Sequence, residues 1–108
     1  MKKGAVWLVD IPKSEDSHEQ HGSRPVCIIS EGEANIKVII PFTSNLNALK
    51  FKNVIKIKPD KNNNLKETSV ALVFQVRSID KRRLKHKIGF LEKETLQKVS
   101  SMLIDYLK

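Results

Sequence analysis

Arg24 stands directly before Pro25 in the stretch HEQHGSRPV, where a polar segment gives way at once to Val26, Cys27, Ile28 and Ile29. A residue that precedes proline is pushed out of the helical region into extended backbone, so Arg24 is expected at the mouth of a strand. A second apolar run, residues 37–42, ends in Thr43, Ser44 and Asn45. Strands joined by a link as short as EGEAN pair antiparallel, because a parallel crossover needs a dozen or more residues. Pairing Arg24 with Thr43 centres the hairpin between Glu33 and Ala34, inside that link. A guanidinium and two hydroxyls then share one rim of the sheet, within one or two residues of register, or roughly 3–7 Å along the strand.

Such a group suits a phosphate. Arginine presents a planar fork of donors and a permanent charge, and Thr43 and Ser44 add hydroxyl donors. His18 and His21, from the preceding segment, can accept or donate a proton near neutral pH. A phosphodiester held there could be cleaved by its own ribose 2′-OH. One group removes the 2′ proton, arginine offsets charge on the crowded phosphorus, and another group protonates the 5′ oxygen. That chemistry requires no metal and no cofactor. Each piece also has a plainer explanation. An Arg-Pro pair opening a strand is usually structural, TSN at a strand end is usually a turn, and histidines on a polar loop are usually just solvated. As a zinc pair His18 and His21 lack further ligands, since Cys27 falls in an apolar strand and His86 in a basic run. Convergence on one edge is what favours chemistry.

The totals bound the rest. The chain has 108 residues, which fits one domain, 1–108. Hydrophobic residues make up 40%, as in globular chains. One cysteine excludes an internal disulfide and is compatible with a reducing compartment. The apolar run after MKK is stopped by Asp10, short of the roughly 7–15 residues of a signal sequence, and no stretch is long enough to span a membrane. A cytoplasmic, soluble protein is expected. The net charge of +8 is uneven, with four bases against six acids in residues 1–36 and all of the excess in residues 37–108. Lys50, Lys52, Lys56, Lys58, Lys61 and Lys66 form one dense run, and Arg77, Lys81, Arg82, Arg83, Lys85 and Lys87 another. A polyanion is the natural partner of such a surface, although a basic face can serve solubility alone.

Strands are expected over residues 5–9, 26–30, 37–42, 53–58 and 69–76, with IGFL after the second basic run adding a last short one. Residues 11–22 read as a long exposed loop, and PDKNNN as a turn. Leu96, Val99, Leu103 and Leu107, with Ile104 beside them, recur at helical spacing from about Lys93 to the end. Glu92 and Glu94 fall in the first turn of that helix, where its dipole favours negative charge. The apolar stripe should pack on the sheet or on a partner. A small, strongly bent antiparallel sheet or barrel with a terminal helix follows.

The blocks GAVWLVD, HEQHGSRPVCIIS, VIIPFTSN, SVALVFQVRSIDKRRL and KIGFLEKETLQKV, in this order, resemble the MazF/PemK toxins of bacterial toxin–antitoxin pairs over essentially the whole chain. The resemblance implies a mainly β fold, a small SH3-like and CcdB-like barrel with a short helix and a C-terminal helix. It implies a homodimer that cuts single-stranded RNA at a short motif without metal, leaving a 2′,3′-cyclic phosphate and a 5′-hydroxyl. It also implies a cognate antitoxin that lays an acidic, initially disordered segment over the RNA groove. Arg24 and Thr43 match the family's recurrent catalytic pair, and His18 a histidine that some members use. Gln20, Ser23, Ser44, Asn45 and Gln75, in the same blocks, are the implied RNA contacts. One departure bears on mechanism. Several members place a carboxylate immediately before the glutamine of the Q-V-R block, and some an arginine two residues further upstream, where this chain has Phe74 and Leu72. His18 is therefore the expected base. Two other readings remain open from sequence: an RNA-binding member that does not cleave, and a protein-targeting toxin of the gyrase-poison type on the same fold.

Overall fold

Valine and isoleucine form most of the strands because their branched side chains fit a pleated, half-buried surface. The computed structural model describes residues 2–11, 22–30 and 35–108. The described residues form seven strands, β1 (Ala5–Ile11), β2 (Gly22–Ser30), β3 (Ile36–Thr43), β4 (Val54–Ile57), β5 (Ser69–Leu72), β6 (Arg77–Asp80) and β7 (Leu84–Phe90), followed by helix α1 (Lys93–Leu107). The strands pair antiparallel in the order β4-β5-β3-β2-β1-β7, with β6 also on β3. This is the mainly β architecture with a C-terminal helix that the sequence leads one to expect. The sheet is not closed, since β4 and β7 end the path without pairing.

Both faces of the curled sheet are apolar. On one, Val6, Cys27, Ile40, Phe42 and Val73 pack with Val99 of α1, and Leu96, Met102 and Leu103 border them. On the other, Ala5, Val9, Val26, Ile28, Ile39 and Ile79 form a second cluster. Successive residues of β2 alternate between the two, as the period of a strand requires. The helix packs through Leu96, Val99 and Leu103, but Ile104 and Leu107, expected on the same stripe, are 60% and 67% exposed. Ile104 is one residue-step of about 100° round from Leu103, and Leu107 lies in the last turn, past the sheet.

Several boundaries differ from expectation, the start of β2 at Gly22 rather than at residue 26 among them. The run 69–76 is not one strand. It breaks after Leu72 into a 3-10 turn, Val73–Gln75, before β6 begins. Phe74 N–H there donates to the Asn53 carbonyl at 3.3 Å, and Asn53 has φ of 61°, a left-handed conformation that asparagine tolerates better than most residues. Strand β7 starts at Leu84, inside the basic run rather than after it. Between β6 and β7 the chain turns at Lys81–Arg83, where Asp80 caps the turn by accepting the Arg82 N–H at 2.8 Å. Hydrogen bonding from the Arg82 guanidinium holds the Asp80 carboxyl below the usual carboxylate range. Residues 12–21, most of the expected loop, lie outside the described residues, while Ile11 and Gly22 at its ends belong to strands.

Cys27 is fully buried in the first cluster. Burial pushes its thiol up from 9.0 to about 12, with the nearby Lys3 charge opposing. The unfolded chain can ionise this thiol near pH 9, whereas the folded chain keeps it protonated up to about pH 12. Its contribution to stability is therefore complete below pH 9 and is lost as pH rises from 9 towards 12. The denaturant midpoint is expected to fall over that window, and to fall less in Cys27→Ala. An equal fall in both proteins would contradict the assignment.

Candidate active site

Two prolines mark where β2 and β3 part. From Ser30↔Val38, across a register shift, the shared ladder runs through Ile28↔Ile39 and Cys27↔Ile40 to Val26↔Pro41 and extends no further towards Thr43. Pro41 has no N–H to donate. It lies between the part of β3 that pairs with β6, ending at Ile39, and the part that pairs with β5, starting at Phe42. On that side the missing donor falls in the gap between two ladders. Beyond the last rung the two chain ends are free to line a depression. Continuing the register two positions sets Arg24 opposite Thr43, the pairing expected from the length of the link.

The depression on one side of this pair has a volume of about 580 Å³. Arg24, Thr43, Ser23 and Ser44 line it, together with Glu67 and His86. A second, about 260 Å³, adjoins it on the other side and is lined by Arg24 and Thr43 again, with Asn45, Gln75, Lys50 and Phe51. Arg24 and Thr43 thus form the wall common to both. Thr43 Oγ1 accepts the Asn45 N–H at 3.2 Å, and Asn45 Oδ1 accepts the Asn47 N–H at 3.0 Å. This leads the chain into the 3-10 turn Leu46–Lys50. With its oxygen accepting from the backbone, the Thr43 hydroxyl keeps its proton for a ligand. Arg24 is half-buried. None of the ion pairs between described residues, Arg82–Asp80, Lys85–Asp10 and Lys108–Asp105, engages it.

The rim therefore gathers Arg24, Thr43, Ser23, Ser44, Asn45 and Gln75 around two connected depressions. Gln75 comes from the turn Val73–Gln75, where the strand breaks. His18 and Gln20 lie outside the described residues. The structure adds Glu67 and Lys66, from the segment before β5, and His86 from β7. His86 pairs with Leu8, which pairs with Pro25 on its other side, so it stands two strands from the Arg24 end of β2. The alternation of Leu84, His86 and Ile88 within LKHKI could have located it, had the cations between them not masked the strand. Lys50, from the first basic run, and Phe51, which carried no signal in the sequence, follow the Thr43 turn.

A family model described as the PemK-like, MazF-like toxin of type II toxin–antitoxin systems matches residues 2–107. The chain belongs to this toxin family. Among its PemK/MazF relatives, Endoribonuclease MazF of Staphylococcus saprophyticus is 32% identical over 107 residues, covering 95% of this chain and 88% of that one. A crystal structure of MazF from Deinococcus radiodurans superposes with a TM-score of 0.72 at 27% identity, covering 96% of this chain and 92% of that one. The MazE–MazF crystal structure from the same organism gives 0.73 at 20% identity, covering 99% and 95%, and agrees in fold. Against the PemK/MazF pattern noted above, the site differs in Phe74, whose ring packs on Phe51 where several members place a carboxylate.

Proposed function

We propose that this PemK/MazF toxin is an endoribonuclease that cleaves single-stranded RNA without a metal ion. The reading is carried by one observation: Arg24 and Thr43, each two residues past the last β2–β3 rung, line both depressions. A chain of nucleotides laid across that wall brings a phosphate to the guanidinium and a nucleoside to each side. Its 2′ oxygen loses a proton to a base and attacks phosphorus. The bond from phosphorus to the 5′ oxygen breaks, and that oxygen takes up a proton. The products are a 2′,3′-cyclic phosphate and a 5′-hydroxyl. Arg24 offsets charge on the crowded phosphorus, and Thr43 donates to a phosphoryl oxygen. His18 is the base, with Phe74 in place of the carboxylate that could otherwise serve. Ser23, Ser44, Asn45, Gln20 and Gln75 bind the neighbouring nucleotides.

Excess positive charge over residues 37–108 draws the polyanion in and makes binding salt-dependent. The same basic surface suits an acidic antitoxin segment, and the Deinococcus radiodurans structure holds a MazF together with MazE. We place the working form as a homodimer in the cytoplasm. Among the described residues no helix is long and apolar enough to cross a membrane. A second reading, RNA binding without cleavage, is favoured by Phe74 alone, which removes an acid from the rim.

Single-stranded RNA and DNA of matching sequence, each incubated with the protein in EDTA, separate these readings. Cutting of the RNA with the DNA left intact is expected, because DNA lacks the attacking hydroxyl. Intact RNA at high protein concentration overturns the enzyme and leaves the binding protein. Equal cutting of both overturns the mechanism.

A further inference from the structure

Beside the Arg24–Thr43 wall lies an aromatic surface that the cleavage chemistry does not use. Phe51 is 48% exposed although it is a large apolar ring. It lines the smaller depression together with Arg24, Thr43, Asn45, Lys50 and Gln75. Two short turns hold it in place. Its N–H donates to the Ala48 carbonyl at 3.1 Å, closing the turn Leu46–Lys50, and Ala48 is itself buried against Val70 and Leu72. Behind it, the Phe74 ring lies 5.5 Å away, centroid to centroid, tilted by 58°. Phe74 sits in the other turn, Val73–Gln75, and packs on the cluster of Ala48, Val70 and Leu72. The Lys50 ammonium rests over the Phe51 ring at 5.4 Å from its centroid.

We infer that Phe51, backed by Phe74, is a stacking platform for the nucleobase next to the phosphate held by Arg24 and Thr43. This rests on the RNA reading given above and adds to it a residue that selects and positions a base. An unstacked base of single-stranded RNA gains by lying on an aromatic face, and every base has such a face. The groups around the ring are those that read base edges and phosphates: an amide from Gln75, amides from Asn45 and Asn47, and the charges of Lys50 and Arg24. The ammonium over the ring is the occupant that a base displaces, and its long stem lets it move to a phosphate oxygen when it leaves. Phe74 in place of a carboxylate removes a negative charge from the rim and gives Phe51 a firm backing.

The test is equilibrium binding of the full chain to short, mixed-sequence, 2′-O-methylated single-stranded RNA, which cannot be cleaved, and to the same backbone without bases. Wild type, Phe51→Ala, Phe51→Leu and Phe51→Trp are compared, with thermal unfolding of each to verify folding. Phe51→Ala and Phe51→Leu are expected to lose roughly 5- to 100-fold in affinity for the base-bearing RNA. Neither should lose affinity for the bare backbone, and Phe51→Trp should bind the base-bearing RNA as wild type does or better. Wild-type affinity in a folded Phe51→Leu overturns the platform while leaving the ribonuclease standing. An equal loss on both ligands, or a loss of self-association with RNA binding intact, also overturns it. Wild type that binds neither ligand overturns the RNA reading itself.

Discussion

Replacing Arg24 with alanine is expected to lower the rate of RNA cleavage by roughly 10²–10³, the usual cost of removing one preorganised charge-stabilising group. The loss should fall on kcat more than on KM, because the guanidinium acts most strongly as charge builds on phosphorus. Arg24→Lys keeps the charge and loses the planar fork, so it should recover only part of the rate. Fold stability serves as the control. Arg24 lies on the rim beyond the last β2–β3 rung, Val26↔Pro41, so its truncation removes no core side chain. Initial rates on a defined RNA, with thermal unfolding of each variant, check both halves. A folded Arg24→Ala that cuts at the wild-type rate would remove Arg24 from the chemistry.

Gly89→Ala is expected to be among the most damaging single methyl additions in this chain. Gly89 lies in β7, and a Cβ there would run into the backbone of Asn62 and Asn63. That backbone has no room to retreat. The Asn62 carbonyl accepts the Phe90 N–H at 3.0 Å, and Asn64 Nδ2 donates to the Ile88 carbonyl at 2.6 Å. Asn63 is buried, donating to the Lys58 carbonyl at 3.0 Å and accepting from the N–H groups of Asp60 and Leu65. Overpacking of this kind costs about 1–3 kcal/mol, and a clash with anchored backbone belongs at the upper end. In a domain of this size each kcal/mol lowers Tm by about 4–8 °C. Calorimetry should therefore show a fall of at least about 10 °C. Activity should fall as well, because the same segment continues into Asn64, Lys66 and Glu67, which wall the larger depression. An unchanged Tm would mean that the segment does not dock on Gly89.

The register at the site was legible because it follows from chain length. A link too short for a crossover forces a hairpin, and Arg24 can then meet only residues near Thr43. The helix was legible from its period, although its packing fades before Ile104 and Leu107. The break at Val73–Gln75 was hidden, because VALVFQV reads locally as continuous strand. What ends the strand is tertiary, a hydrogen bond from Phe74 to the carbonyl of a left-handed Asn53. Strand β7 was half hidden by cations on its outward positions, and His86 was hidden with it. Phe51 gave no signal because a single exposed phenylalanine is unremarkable in sequence. It gains meaning only once Phe74, Lys50 and Arg24 are seen around it. The family resemblance, by contrast, was carried by whole blocks, and the match over residues 2–107 spans the same stretch.

Analysis of the new ends in an RNA digest made in EDTA bears most directly on the central claim. The account predicts that every upstream fragment ends in a 2′,3′-cyclic phosphate and every downstream fragment begins with a 5′-hydroxyl. A single 2′-deoxy substitution at the cleaved position should abolish cutting there. Fragments bearing 3′-hydroxyl and 5′-phosphate ends, or undiminished cutting beside the deoxy sugar, would contradict it.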